Sequence, residues 1–162
     1  MYQLGHYGAS LLAYAPLGAA VAFAGYEPVA VLGALVCVSL STLPDCDHRL
    51  PLIEHRGPTH TLLFAVLVGA GVAAAAAVFV GSSSPFTGVG VVGFAFVVGT
   101  LSIGSHLLAD ALTPMGIRPF WPLSSRRYTV ALTRAANPVA NYVLFALGVG
   151  AIVLVGVIVF VL

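Results

Sequence analysis

Five long apolar stretches dominate this sequence of 162 residues. A helix that crosses a bilayer needs roughly 17–25 mainly apolar residues. The stretches that meet or approach this length are Gly8–Gly25, Pro28–Leu43, Thr61–Val80, Val89–Leu112 and Val139–Leu162. Only 7% of the residues are charged, compared with about a quarter in a typical soluble domain. The sequence therefore predicts an all-α integral membrane protein, a single transmembrane domain over residues 1–162 with a bundle of about five spanning helices.

The polar residues are divided very unequally among the connections between these stretches. Pro44–Pro58 and Thr113–Pro138 contain all six basic residues, and every one of them is Arg. The other two connections are short turns that hold a single charge, Glu27. If successive spans alternate in direction, both long connections lie on one face, which the positive-inside rule makes cytoplasmic. We therefore expect a multi-pass protein of the cell (inner or plasma) membrane, with its N-terminus in the cytoplasm and its C-terminus outside.

Histidine and aspartate side chains occur near the ends of the stretches that meet this cytoplasmic face. His106 and Asp110 are four residues apart near the end of the fourth stretch, so both project from one face of a helix. Ionisable residues inside spans are costly and usually functional. Pro58 suits the first turn of the third helix, which would place His60 about one turn inside it. The other candidates are His6, just before the first stretch, and Asp45 and Asp47, at the end of the second.

Together these residues offer three imidazoles and up to three carboxylates at one depth, a ligand set that suits Zn²⁺, Mn²⁺ or Fe²⁺. A catalytic zinc usually has three protein ligands and one position left for water. The set therefore predicts a site for one or two divalent transition-metal ions, with Zn²⁺ favoured. Taken singly, His6 can also be an interfacial residue, and the two loop aspartates can be caps or solvated groups. We interpret His48, His55 and Cys46 as structural or solvated residues of the loop.

The second long connection holds four of the arginines and an aromatic segment. Phe120 and Trp121 are typical of an anchor at the membrane interface. The arginines are most simply topology signals; alternatively, one or two of them clamp a phosphate, for which the planar guanidinium is well suited. These four residues are Arg118, Arg126, Arg127 and Arg134. The chain has no basic block of the kind that binds nucleic acid, and nucleic acid is not a predicted partner.

Four sequence motifs carry a resemblance to a known family. They are His6 with Gly8-Ala9; Leu43-Pro44-Asp45-Cys46-Asp47-His48; His55-Arg56-Gly57-Pro58-Thr59-His60-Thr61; and His106-Leu107-Leu108-Ala109-Asp110 followed by Leu112-Thr113-Pro114-Met115-Gly116. In combination the chain resembles the YdjM-like family of membrane-bound hydrolases, assigned as metal-dependent and described as LexA-regulated inner-membrane proteins. The resemblance runs from the N-terminus to Pro122 and implies a metal-dependent hydrolase.

The chain also has a more distant resemblance to the zinc-dependent phospholipase C and nuclease group. That resemblance implies Asp47, His60, His106 and Asp110 as metal ligands, with His6 as an additional one. No His or Glu follows Asp110 at ligand spacing, so one or two metal ions are expected rather than three.

The leading functional hypothesis is hydrolysis of a phosphoester, of a lipid or lipid-linked substrate, at the cytoplasmic membrane face. Asp45 is the spare carboxylate best placed to act as general base, and Arg56 is a candidate to neutralise charge on the phosphoryl group. A metal or ion transporter is an alternative, although transport needs polar groups on both sides of the midplane. A scaffold that binds a structural metal is the third hypothesis.

Overall fold

The computed structural model describes residues 1–49, 55–80 and 85–161. Five α-helices make up most of this part of the chain: α1 (Gln3–Phe23), α2 (Glu27–Leu40), α3 (Leu62–Val80), α4 (Pro85–Ala111) and α5 (Pro138–Val161). Two short 3₁₀ helices, Pro44–Arg49 and Pro58–His60, lie between α2 and α3. The described residues form no strand, and the predicted all-α fold class is confirmed.

Four helical segments are long and apolar enough to cross a membrane: Glu27–His48, Leu62–Val80, Gly90–Ala111 and Pro138–Val161. Helix α1 has 21 residues, which is long enough, but it is less apolar than the other four. Its polar side chains His6 and Ser10 are fully buried inside the protein, which explains how a less apolar helix is accommodated in the bundle. Membrane crossing by α1 stays a prediction.

Helix α1 begins earlier than the sequence predicts, at Gln3 instead of Gly8. The backbone N–H groups of Gly5 and His6 donate to the Tyr2 carbonyl, at 2.9 and 3.3 Å. The Tyr2 N–H in turn donates to the side-chain oxygen of Asn141 in α5, at 3.0 Å. The prediction that His6 precedes the first helix was therefore wrong, because these bonds extend the helix so that His6 lies in its first turns.

Helix α3 begins later than predicted. Thr61 is extended, with φ −125° and ψ 157°, and its hydroxyl accepts a hydrogen bond from the Phe64 N–H at 3.1 Å. Thr61 thereby satisfies one of the free N–H groups at the helix start, as N-cap residues do. His60 lies in the separate 3₁₀ helix before this cap, and its predicted position one turn inside the span was wrong.

The helices pack as two close pairs joined through the centre of the bundle. α3 packs along α4, and α1 packs along α5. α1 also contacts α4, and α2 contacts both α1 and α4. A Cβ atom on Gly8 of α1 or Gly148 of α5 would collide with the backbone of the opposite helix. One on Gly99 of α4 would lie 2.9 Å from the Gly69 Cα of α3. Small residues thus allow close backbone approach where lipid supplies no hydrophobic driving force.

The beginnings of α1 and α3 and the ends of α2 and α4 meet at one end of the bundle, as the alternation of spans predicts. The connection between α4 and α5 folds back over this end. The Pro119 carbonyl accepts a hydrogen bond from Leu62 N–H at 2.9 Å, and the Ala111 carbonyl accepts one from Val130 N–H at 2.8 Å. Gly116 makes the turn with φ +60°, and a Cβ there would collide with the Tyr128 carbonyl.

Candidate metal centre

Five side chains from four segments of the chain converge at this end of the bundle. We call them the central cluster: His6 from α1, Asp45 and His60 from the two 3₁₀ helices, and His106 and Asp110 from α4. The three imidazoles are 0% exposed and the Asp110 side chain 1%, whereas the Asp45 side chain is 24% exposed. The cluster is thus buried in the protein and reaches solvent through Asp45.

Four atoms of the cluster lie close enough together to be ligands of one metal ion. The Nε2 atoms of His60 and His106 lie 3.0 Å apart. Asp45 Oδ1 lies 3.5 and 3.6 Å from these two nitrogens, and Asp110 Oδ2 lies 3.5 and 3.7 Å from them. Tetrahedral zinc with ligand bonds of about 2.0–2.1 Å requires ligand atoms about 3.3–3.4 Å apart. The residues present therefore fit a divalent metal ion of this type.

The other ring nitrogens show which atoms carry protons. His106 Nδ1 lies 2.7 Å from the Ser41 carbonyl oxygen, which only accepts, so this nitrogen donates. The Thr59 hydroxyl donates to Asp47 Oδ2 at 2.7 Å, which leaves its oxygen to accept from His60 Nδ1 at 3.0 Å. In the neutral rings both Nε2 atoms then present lone pairs to each other. Two lone pairs at this distance repel, so the pair requires either a proton on one Nε2 or a metal ion between them.

The electrostatics of His60 favour a cation at the same position. Burial alone would lower the pKa of His60, but the Asp110 and Asp45 carboxylates outweigh it and raise the pKa above its usual value. In the absence of a metal, this raised pKa favours a proton on His60, which would balance part of the carboxylate charge. A metal ion bound by Nε2 would replace that proton.

His6 lies on the other side of the two carboxylates. Its ring stacks on His106, with centroids 3.8 Å apart and an interplanar angle of 11°. Its Nε2 lies 3.7 Å from Asp45 Oδ2 and 3.6 Å from Asp110 Oδ1. Neither ring nitrogen has a hydrogen-bond partner among the described residues. Buried polar atoms are rarely left unpaired, so His6 is suited to act as a further ligand.

Asp110 Oδ1 already has two cationic neighbours. The Arg56 Nη2 lies 2.9 Å from it and the Met1 amino group 2.6 Å. Arg56 Nη1 donates to Thr113 Oγ1 at 3.0 Å and to the Gly116 carbonyl at 3.1 Å. Arg56 is itself buried, so its guanidinium links the Asp110 side chain to the residues that follow the end of α4. A second metal ion beside His6 would have to compete with these cations for Asp110, which favours one ion in the central cluster.

Asp47 contacts His60 at a different nitrogen from the one that faces the cluster. Its Oδ2 lies 3.3 Å from His60 Nδ1 and accepts hydrogen bonds from Thr59 Oγ1 at 2.7 Å and the Arg56 backbone N–H at 3.2 Å. Its Oδ1 lies 2.9 Å from His55 Nδ1. The predicted ligand role of Asp47 thus stays a prediction, while its observed contacts are those of a group that orients His60.

Some contributors to this arrangement were not singled out from the sequence. Thr59 bonds both Asp47 and His60, and its position next to His60 was the available signal. His55, interpreted as a solvated loop residue, has a side chain only 29% exposed and contacts Asp47. Ser41 contributes a backbone carbonyl, which any residue type supplies and which no sequence pattern can reveal.

The arginine-rich connection makes contacts of its own. Arg127 Nη1 donates to the Met115 carbonyl at 2.8 Å, and the Arg126 guanidinium lies 5.4 Å from the centre of the Tyr128 ring. Leu123 and Leu132 are 94% and 73% exposed. Exposed apolar side chains among arginines are typical of a surface that lies at the membrane interface.

Helices that can cross a membrane and a buried His/Asp cluster at one end define a multi-pass membrane protein with a candidate metal centre. The chain belongs to the YdjM inner membrane protein family, whose family model matches residues 1–162. The resemblance seen in the sequence motifs is therefore confirmed, and it extends over the whole chain. No curated protein and no solved structure matches the chain. The more distant similarity to the zinc-dependent phospholipase C and nuclease group has no support from these comparisons.

Proposed function

We propose that this protein is a metal-dependent hydrolase that cleaves a phosphoester of a lipid or lipid-linked substrate at the cytoplasmic face of the membrane. The observation that carries the proposal is the pair of facing Nε2 atoms of His60 and His106, 3.0 Å apart, with carboxylate oxygens of Asp45 and Asp110 3.5–3.7 Å from them. Buried, desolvated ligand atoms in this arrangement are expensive to maintain without a cation.

The three fully buried residues His60, His106 and Asp110 would hold one divalent ion, for which Zn²⁺ is our first choice and Mn²⁺ or Fe²⁺ the alternatives. A bound ion of this kind supplies a polarised phosphoryl oxygen and a water of lowered pKa. Three protein ligands are the usual number in a catalytic zinc site. His6 is a candidate for a further ligand on the far side of the carboxylates.

Asp45 is the second carboxylate beside the two Nε2 atoms and the member of the cluster that reaches solvent, with its side chain 24% exposed. A partly exposed carboxylate can move aside and accept a proton from a water molecule that enters at its position. We therefore assign Asp45 as the general base. General base catalysis contributes typically 10²–10⁴-fold to a rate.

Asp47 and Arg56 act through other residues in this proposal. Asp47 fixes the ring of His60 from Nδ1, and such second partners hold the imidazole in the orientation and tautomer that binds metal. Arg56 donates to Asp110 Oδ1 at 2.9 Å and keeps Asp110 Oδ2 turned toward the imidazoles. Both are positioning residues, which assigns Arg56 a different role from the phosphoryl contact that the sequence suggested.

A groove between α1, α2 and α5 supports a substrate with an acyl chain. Its volume is about 470 Å³, and apolar side chains line most of it. Along α1 it extends from Leu11 to Ala22, roughly 16 Å at 1.5 Å per residue. Leu11 is little more than one helical turn from His6, so a chain held here would bring an attached phosphoester close to the central cluster.

The proposal is tested by metal analysis and turnover on the same purified samples. Protein prepared without chelators should contain about one equivalent of tightly bound transition metal. It should release phosphate or head group from at least one member of a panel of phospholipids and lipid phosphates in mixed micelles. His60→Ala and His106→Ala should each lose most of the tight metal and the activity. Leu108→Ala is the matched control, because Leu108 lies on α4 between two cluster residues but is 69% exposed; it should keep both.

Full metal retention in both histidine variants would contradict the assignment of His60 and His106 as metal ligands. Bound metal without hydrolysis of any substrate in a broad panel would favour the hypothesis of a scaffold that binds a structural metal. Metal flux into liposomes containing the purified protein would instead favour the transporter.

A further inference from the structure

A second group of ligand atoms lies beside the central cluster. Ligand atoms of Asp45, Asp47, His48 and His55 all lie within 4.8 Å of one another. We call these four residues the outer group. The first three belong to the 3₁₀ helix Pro44–Arg49, and His55 comes from the next described segment. Asp45 belongs to both the central cluster and the outer group, so the two are continuous.

The outer group combines one exposed and one partly buried imidazole with a fixed carboxylate. The rings of His48 and His55 stack, with centroids 3.6 Å apart and an interplanar angle of 29°. His55 Nδ1 lies 2.9 Å from Asp47 Oδ1. His48 is exposed, while the side chains of His55 and Asp45 are 29% and 24% exposed. A cation could therefore reach these atoms directly from solvent.

Asp47 is the member of the outer group that hydrogen bonds hold in a fixed position. Its side chain is 0% exposed, and its Oδ2 is held by the Thr59 hydroxyl and the Arg56 backbone N–H, at 2.7 and 3.2 Å. The Arg56 backbone that makes this contact has φ 60°, a left-handed conformation that costs energy in residues other than glycine. With Oδ2 fixed in this way, Oδ1 is directed to His55 and the outer group.

We propose that the outer group is a second binding site for a divalent transition metal, weaker than the central one and the first that an ion from solvent reaches. Two imidazoles and two carboxylates are a ligand set suited to Zn²⁺. The site should be weaker because its side chains are more exposed, and exposed charges attract a cation less strongly than buried ones. This site goes beyond the proposed function, since its occupancy does not depend on hydrolysis.

The test is calorimetric titration of the purified full chain with Zn²⁺ in detergent, after removal of bound metal by a chelator. The unmodified protein should show a tight and a weak class of site. His48→Ala should weaken the weak class by at least about tenfold, since loss of an outer-shell partner alone typically costs 10–100-fold in affinity. It should leave the tight class in place, because His48 is exposed and has no part in the central cluster. His106→Gln should have the reverse effect.

Cys46→Ser is the matched control for the outer group. Cys46 lies in the same 3₁₀ helix and is exposed, and its replacement should leave both classes unchanged. A single class that His106→Gln abolishes and His48→Ala does not affect would overturn the outer site and leave the proposed function standing. A single class that His48→Ala abolishes and His106→Gln does not affect would overturn the central site instead. Absence of zinc binding would overturn both, and loss of the weak class in Cys46→Ser would overturn the outer site as assigned.

Discussion

Asp47 Oδ2 lies 3.3 Å from Nδ1 of His60, while Nε2 of the same ring lies 3.0 Å from His106. The two nitrogens of one imidazole thus face a carboxylate on one side and the central cluster on the other. This is the relationship by which a carboxylate fixes the orientation of a metal-binding histidine and raises its basicity. Asp45, two residues earlier in the chain, lies on the Nε2 side, so the two aspartates have different predicted effects.

Replacement of Asp47 should weaken the tight zinc site without removing it. Asp47→Asn keeps the size of the side chain but lowers its negative charge and lets an amide N–H face His60 Nδ1. We expect an affinity loss of about 10–100-fold, the usual range for an outer-shell partner. Competition with a chelator of known affinity measures the effect, with the tight class followed separately from the weak one. An unchanged tight class would show that Asp47 does not position His60.

Replacement of Asp45 should separate binding from chemistry. Asp45→Asn should retain the tightly bound ion, because His60, His106 and Asp110 remain. Turnover should fall by about 10²–10⁴-fold, as expected when a group that moves a proton is lost. The measurement is metal content and hydrolysis on one preparation. If metal and activity disappear together, Asp45 is a required ligand and the assignment as general base is wrong.

The orientation in the membrane gives an independent prediction. A reporter fused after Leu162 should be active on the outside, whereas one inserted near Ser124 should report the cytoplasm, because positive loops remain inside. Each position should carry two reporters in turn, one active only in the cytoplasm and one active only outside, so that an inactive fusion can be interpreted. Both fusions on the same side would contradict a crossing by α5 and with it the five-span arrangement.

The contact between α1 and α5 predicts a sharp difference between two neighbouring glycines. A Cβ at Gly148 would collide with the Gly8 backbone, whereas one at Gly150 has nothing within 4 Å. Gly148→Ala should lower stability by about 1–3 kcal/mol, the usual cost of overpacking, and Gly150→Ala by less than about 0.5 kcal/mol. Thermal unfolding in one detergent compares the two. Equal effects would show that the close approach is not required.

The helical architecture could be predicted from the sequence because membrane thickness sets the length of an apolar stretch. The shared face of His106 and Asp110 could also be predicted, because a spacing of four residues fixes direction on a helix. Both features depend on local geometry alone, and both appear in the structure, where the two side chains are 0% and 1% exposed.

The helix boundaries and the contacts of the aspartates depend on interactions between distant parts of the chain. His6 lies within α1 because the Tyr2 N–H is hydrogen-bonded to Asn141 in α5. His60 lies outside α3 because Thr61 caps that helix. Whether Asp45 or Asp47 faces the Nε2 side of His60 is decided by how the 3₁₀ helix Pro44–Arg49 docks against the 3₁₀ helix Pro58–His60. A spacing of two residues contains no information about that docking.

The three residues that would hold the ion come from the 3₁₀ helix Pro58–His60 and from α4, so a bound ion would crosslink these two segments at the end of the bundle. At a free concentration one hundred times its dissociation constant, an ion that binds only the folded state contributes about 2.7 kcal/mol of stability. Its removal would leave the buried carboxylates balanced only by Arg56, the Met1 amino group and bound protons. The end of the bundle that holds the central cluster is therefore where it would open first, and backbone amides there would exchange hydrogen sooner than those at the Gly69–Gly99 contact between α3 and α4.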